Sequence, residues 1–157
     1  MKPEIGITTK HLHKSIKLLE NILADEMILY VKTRKLHWNV TGNSFMEMHK
    51  LFQSQYTELE KTIDTVAERI SKLGGKTIGT MQEYLKATRL KENPGKYPTQ
   101  KEMLTELLHD HENVIKYLRK DIGECSEKLN DAGTTDFLTS ILEQHETTAW
   151  ILRRYLM

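Results

Sequence analysis

The run Ser44-Phe45-Met46-Glu47-Met48-His49-Lys50-Leu51-Phe52-Gln53 continues to Ile63-Asp64-Thr65-Val66-Ala67-Glu68-Arg69-Ile70 and closes at Leu73-Gly74-Gly75. Its reading decides the fold. Phe45, Met48, Phe52, Leu59, Ile63, Val66 and Ile70 recur at the three- and four-residue intervals of one helix face. Ser44 with Glu47 three residues later predicts a capping box, and Gly74-Gly75 predicts the stop. A helix of ~28 residues is ~42 Å long at 1.5 Å per residue.

The same periodicity extends in both directions. Upstream, about Thr9 to Leu36 carries Leu12, Ile16, Leu19, Leu23, Met27 and Tyr30 on one stripe. Downstream, Thr99-Gln100-Lys101-Glu102 opens a third helix through another capping-box pattern, with Leu104, Leu107, Leu108, Ile115, Leu118 and Ile122. A fourth follows Asn130-Asp131-Ala132-Gly133 and carries Leu138, Ile141, Leu142, Ala149, Leu152 and Leu156. No segment alternates as a strand would, so the chain is expected to be all-α.

Connection lengths set the topology. Helices one and two, and helices three and four, are joined by about six residues each, which predicts two antiparallel hairpins. Roughly 25 residues separate the second helix from the third, including Thr80-Met81-Gln82-Glu83-Tyr84-Leu85-Lys86, a candidate short helix. One long crossover leaves helices two and three parallel, the ferritin-like form of the four-helix bundle. The 157 residues are expected to form one domain after a tail of about eight residues.

Composition narrows the function. With 23 Lys+Arg against 22 Asp+Glu, the formal net charge of +1 argues against nucleic-acid binding by bulk charge. No apolar run approaches the ~20 residues of a membrane span, and Met1 to Gly6 lacks a signal-peptide core. A lone Cys125 excludes an internal disulfide and any multi-cysteine metal site, and it fits the cytoplasm.

The carboxylate di-metal site of such bundles needs two Glu-x-x-His motifs facing inward. Only Glu106 to His109 has the spacing, and with Leu104 at the centre of the apolar face both lie roughly 140° to 200° away. His111 and His145 read as hydrogen-bonded core histidines. The second helix is different. With His49 at zero, Gln53 lies near ~40°, Asp64 near ~60° and Glu68 near ~100°, a polar stripe beside the buried face. His49/Gln53 and Asp64/Glu68 are i,i+4 couples, and the turn at Gly42 can bring His37 beside His49. Yet His49 and Asp64 are ~22 Å apart along a straight helix, beyond any single ion with ~2 Å bonds. An antiparallel second copy across a two-fold axis would join one chain's upper couple to the other's lower couple, twice over. The donor set suits Fe(II), and zinc also fits it. Asp64 and Glu68 read equally well as solvated surface carboxylates.

Lys35-Leu36-His37-Trp38-Asn39-Val40-Thr41-Gly42, then Phe45, Met48-His49 and Ile63 to Ile70, closing in Leu73-Gly74-Gly75, resemble the Dps family, the starved-cell DNA-protecting mini-ferritins. The likeness runs on through Thr135-Asp136-Phe137-Leu138 and His145-Glu146 to Ala149-Trp150, covering essentially the whole chain. The resemblance implies a hollow dodecamer that oxidises Fe(II), preferentially with hydrogen peroxide, and stores the ferric mineral inside. It implies ferroxidase centres between two-fold-related subunits, with His37 and His49 from one and Asp64 and Glu68 from the other. His37 and His49 are expected to serve one ion position together. Trp38 would stand near the centre as an electron donor or radical trap, with simple packing as the other reading. Asp136 would line an iron-entry pore, and Asp131 is a weaker pore candidate.

One position departs. Gln53 stands where the family usually has Asp four residues after the second histidine, and an amide offers an oxygen without charge. The centre is therefore expected to hold a second ion weakly, and a scaffold that has lost the centre is the opposite reading. DNA compaction, the competing function, depends in many Dps proteins on a lysine-rich tail. Here the tail has only Lys2 as a certain basic group, and Lys10, Lys14 and Lys17 belong to a helix face. DNA remains a partner that the short tail does not support.

Overall fold

The computed structural model describes residues 3–157, so Met1 and Lys2, the tail's expected basic group, lie outside the described residues. Five α-helices follow one another: α1 (Thr9–Asn39), α2 (Phe45–Lys72), α3 (Met81–Ala87), α4 (Gln100–Glu124) and α5 (Ala132–Leu156). No strand occurs among the described residues. A π-helical turn, Cys125–Leu129, extends α4, and the chain then reverses at Asn130 with φ 52°.

Contacts at the helix ends give the directions. Gln100 at the start of α4 donates from Nε2 to the Thr41 carbonyl at 2.7 Å, beside the α1–α2 turn. At the other end of the bundle, His11 Nδ1 donates to the Leu129 carbonyl at 3.0 Å. Arg69, late in α2, reaches Thr134 at the start of α5, and Tyr155, late in α5, reaches Glu47 at the start of α2. Thus α1 opposes α4, α2 opposes α5, and α2 runs parallel to α4, as one long crossover requires. Gly42 makes the tight turn possible with φ 113°, where an added Cβ would stand 3.1 Å from Gln100 Nε2.

The crossover is strapped along α1. Asp25 is fully buried and accepts from Thr88 Oγ1 at 2.9 Å, from the Arg89 amide at 2.6 Å and from Arg89 Nε at 2.7 Å. Arg89 Nη1 continues to Asp121 on α4 at 2.7 Å. Burial raises the Asp25 carboxyl above its ordinary range despite the pull of Arg89. Further along, Lys32 donates to the Lys91 carbonyl at 2.9 Å and pairs with Glu106 at 3.0 Å and with Asp110. Covering α1 on this side explains why it buries more than one stripe, including Ile22, Ala24, Ile28 and Leu29. Each of its fully buried large aliphatic side chains contributes about 1.5–3 kcal/mol of transfer free energy.

Of the two capping boxes expected, the one formed by Thr99 and Glu102 opens α4, and Thr80 with Glu83 forms a further one at α3. Ser44 makes no capping bond at α2. Its φ −98°, ψ 28° lies outside the extended region a capping residue adopts, and Glu47 is taken by the Tyr155 hydroxyl at 2.9 Å.

Candidate metal centre

The turn at Gly42 brings the end of α1 against the start of α2. His37 and His49 meet there with ring centroids 3.7 Å apart and planes inclined by 24°. His37 Nδ1 donates to the His49 carbonyl at 2.8 Å, and His49 Nδ1 donates to the His37 carbonyl at 3.1 Å. A carbonyl only accepts, so both Nδ1 atoms carry hydrogen, which leaves Nε2 of each ring as the atom able to bind an ion. This carbonyl support is the usual way a ligating histidine is oriented.

The stack sets the two rings face to face, so their Nε2 atoms lie in separate planes. Gln53 is exposed one turn after His49.

Asp64 and Glu68 are both exposed, farther along α2, and Glu68 pairs with Lys72 at 3.0 Å. Among the described residues no group of three or more His, Cys, Asp or Glu is placed to hold a metal ion, and the two couples are not brought together within one chain. Asp136 is exposed in the second turn of α5. Asp131 is corrected as a pore candidate. It is 1% exposed and caps α5, accepting from Thr134 N at 3.0 Å and Thr134 Oγ1 at 2.7 Å, with Arg69 beside it. These hydrogen bonds outweigh its burial and hold the carboxyl below its ordinary range.

Aromatic side chains surround the histidine pair. Phe45 is exposed instead of buried and lies 5.1 Å from the His49 ring. Tyr56 meets His37 edge-on at 5.2 Å. Trp38, 64% exposed, lies under the Arg34 guanidinium at 5.1 Å. Tyr56 and Arg34 escaped the sequence reading, although helical spacing could have found them: Tyr56 is seven residues after His49, and Arg34 is three before His37.

The bundle interior holds a different polar set. His145 Nε2 bonds Glu26 Oε1 at 2.7 Å, and His145 Nδ1 bonds His111 Nδ1 at 2.9 Å. All three residues are buried, and burial pushes the His111 imidazole well below its ordinary value. His111 and His145 are thus hydrogen-bonded core residues, as expected. His109 is exposed, while Glu106 is only half-exposed, held by Lys32 and by Asn93 at 2.9 Å.

The sequence signature of the ferritin-like domain matches residues 16–157, and the chain belongs to that family, on its Dps branch. It is 41% identical over 152 residues to a low temperature-induced protein of Nostoc sp., covering 97% of this chain and 85% of that one. The DNA protection during starvation protein 2 of Bacillus anthracis is 35% identical over 141 residues, 90% of this chain and 95% of that protein. Among solved structures, the Dps protein of Vibrio cholerae, described as a ferritin-like diiron-carboxylate protein, superposes with a TM-score of 0.93. That pair is 29% identical and covers 99% and 97% of the two chains. No helix among the described residues is long and apolar enough to cross a membrane.

Proposed function

We propose that this chain oxidises Fe(II), preferentially with hydrogen peroxide, at centres shared by two-fold-related copies, and keeps the ferric product inside a closed dodecameric shell. The observation that carries the reading is the His37–His49 pair, which presents two oriented imidazole nitrogens with no carboxylate grouped beside them. Asp64 and Glu68 carry the carboxylates ~22 Å and ~28 Å from His49 along α2, so a second antiparallel copy would complete two equivalent sites. Fe(II) is substrate here. The protein's part is to hold two ions side by side, offer imidazole nitrogen to each, and neutralise the gained charge with Asp64 and Glu68. Zinc, which accepts the same donors, would compete for the positions. Asp136, exposed near the start of α5, is proposed to line the iron-entry pore. The cytoplasm, where Fe(II) and a free thiol persist, is the proposed compartment.

Anaerobic titration of Fe(II) into metal-free protein, followed by a peroxide pulse, tests this. Saturable binding, followed by peroxide loss matched to iron oxidised, is the expected result. Sedimentation at micromolar concentration should show a large closed particle. A monomer or isolated dimer would leave no cavity and would overturn the storage reading.

A second reading, physical shielding of DNA, draws on the name of the Bacillus anthracis relative. Lys10 and Lys14 are exposed on α1, but Lys17 is engaged by Glu20 at 3.1 Å. Retardation of DNA in a low-salt gel, abolished by Lys10→Gln with Lys14→Gln, would establish it.

A further inference from the structure

Glu26 on α1, His145 on α5 and His111 on α4 form one hydrogen-bonded chain through the bundle core, and the chain ends at a cavity. Glu26 Oε1 lies 2.7 Å from His145 Nε2, and His145 Nδ1 lies 2.9 Å from His111 Nδ1. His111 is only 2% exposed, and its Nε2, the last nitrogen of the chain, has no hydrogen-bond partner. His111 lines a cavity of about 10 Å³, the room of about one water molecule. Gln55 of α2 lines the same cavity, 7% exposed, with neither Oε1 nor Nε2 partnered. Gln55, Glu58, Gln144 and Thr148 also line a groove of about 230 Å³ between α2 and α5, so cavity and groove share a wall.

Two nitrogens at hydrogen-bond distance need one hydrogen between them, and the ring that supplies it sets the whole chain. With Glu26 ionised and both rings neutral, His145 donates from Nε2 to Glu26 and accepts at Nδ1 from His111 Nδ1. His111 Nε2 then carries a lone pair. When a proton binds that lone pair, the hydrogen on His111 Nδ1 passes to His145 Nδ1. His111 is neutral again with its hydrogen on Nε2, and His145 has become an imidazolium against the Glu26 carboxylate. The chain has gained one proton and gone from one negative charge to none.

The surroundings favour this outcome. Burial pushes the His111 imidazole well below its ordinary value, so a charge that arrives there is driven onward to His145. Glu26 Oε2 is unpartnered, and among the described residues no lysine or arginine pairs with Glu26, so His145 is the group that can neutralise it. The neighbouring carboxylates are engaged elsewhere, Asp25 by Arg89 and Asp110 by Lys32. Glu58 stands at the cavity and the groove, where its carboxylate can pass a proton inward. Gln55 serves both states of His111: its Nε2 donates to the lone pair and its Oε1 accepts from the N–H, directly or through one water.

We infer that Glu26, His145 and His111 form a binding site for one proton, loaded from the α2–α5 groove through His111 and held at His145. On the helical wheel with His49 at zero, Gln55 lies near ~240° and Glu58 near ~180°, on the flank of α2 away from Gln53, Asp64 and Glu68. The site is therefore separate from the proposed iron centre, and its test uses no iron.

The experiment is magic-angle-spinning 15N spectroscopy of the full-length protein, labelled at histidine and sedimented, from about pH 8 down to about pH 5. His111→Gln and His145→Gln assign the two sets of ring signals. Across the range His145 should go from one N–H to two, while His111 stays neutral and moves its hydrogen from Nδ1 to Nε2. His111 gaining both hydrogens, or keeping one tautomer throughout, would overturn the inference. Gln55→Glu, which when ionised only accepts, should hold the Nε2–H form of His111 at the upper end of the range. Gln55→Leu, which removes both amide atoms, should slow deuterium exchange of the His145 ring hydrogens by about tenfold, the effect of one unmade hydrogen bond. Circular dichroism checks that both Gln55 variants keep the parent helix content. Exchange in folded Gln55→Leu as fast as in the parent would overturn loading through the groove, and an unmoved tautomer in folded Gln55→Glu would overturn the role of Gln55.

Discussion

His37 and His49 orient each other through main-chain carbonyls: each ring donates from Nδ1 to the other residue's oxygen, at 2.8 Å and 3.1 Å. Because the acceptors belong to the backbone, removing one ring leaves the other with its partner. His37→Ala and His49→Ala should therefore each abolish one class of bound Fe(II) and spare the other. Stoichiometry from anaerobic titration checks this. Loss of both classes in either variant would mean that the two rings serve a single ion.

Mixing His49→Ala with Glu68→Ala tests whether the centre spans two chains. In a mixed pair one site combines both lesions and the other combines none. Random reassembly of equal amounts makes half the pairs mixed, so about a quarter of parental peroxide-driven oxidation should return. No recovery after proven subunit exchange would place each centre within one chain.

Gln53 lies one turn after His49, so an ion held there on the proposed reading would lack the charge that a carboxylate at this position supplies. One Fe(II) per centre should bind firmly, held by His37 and the carboxylates across the two-fold, and a second should bind weakly. Gln53→Asp should tighten the second by about tenfold, ~1.4 kcal/mol, and speed oxidation, although the shorter side chain takes back part of the reach. Two tight ions in the parent, with neither binding nor rate changed in Gln53→Asp, would contradict this.

His111 gives the stability a pH dependence. Its folded-state pKa is depressed, by burial first and by His145 second. The unfolded chain therefore takes up a proton that the folded chain refuses. The His111 contribution is complete above the unfolded value near pH 6.5 and is lost as pH falls from there towards the folded value. The slope for this one proton is ~1.4 kcal/mol per pH unit at most. Urea midpoints between pH 7.5 and 5 should fall less steeply in His111→Gln than in the parent.

Arg89 neutralises two carboxylates, Asp25 and Asp121, where the crossover meets α1 and α4. Arg89→Met should cost about 3–5 kcal/mol, because it leaves buried charge unpaired. Adding Asp25→Asn and Asp121→Asn should return part of that loss. Denaturant unfolding at pH 7 measures both.

Much of this architecture was readable from periodicity and connection length, because a one-sided apolar stripe has few ways to be covered. What periodicity missed depends on tertiary neighbours. Ser44 has the composition of a cap, yet the turn from Gly42 sets its backbone in the wrong region and Tyr155 claims Glu47. Asp131 is a weaker pore candidate from the sequence, but Thr134 and Arg69 enclose it. The buried charges Asp25, Glu26 and Lys32 break no helical rule, and only the crossover, α4 and α5 give them partners. At the centre, chain spacing placed His37 near His49 but carried no information on ring orientation. The stack, which sets the two rings in separate planes, goes with the carbonyl hydrogen bonds.

The spread of donors along α2 also bears on timing in the life of the chain. On the proposed reading, a newly made subunit would carry half of two sites and the whole of none, and so would have no complete centre with which to consume peroxide. Catalytic competence would then arrive with pairing, the first step toward an enclosure. Insoluble ferric product would then form only where a wall already stands to contain it, and assembly would act as the safety catch on the chemistry.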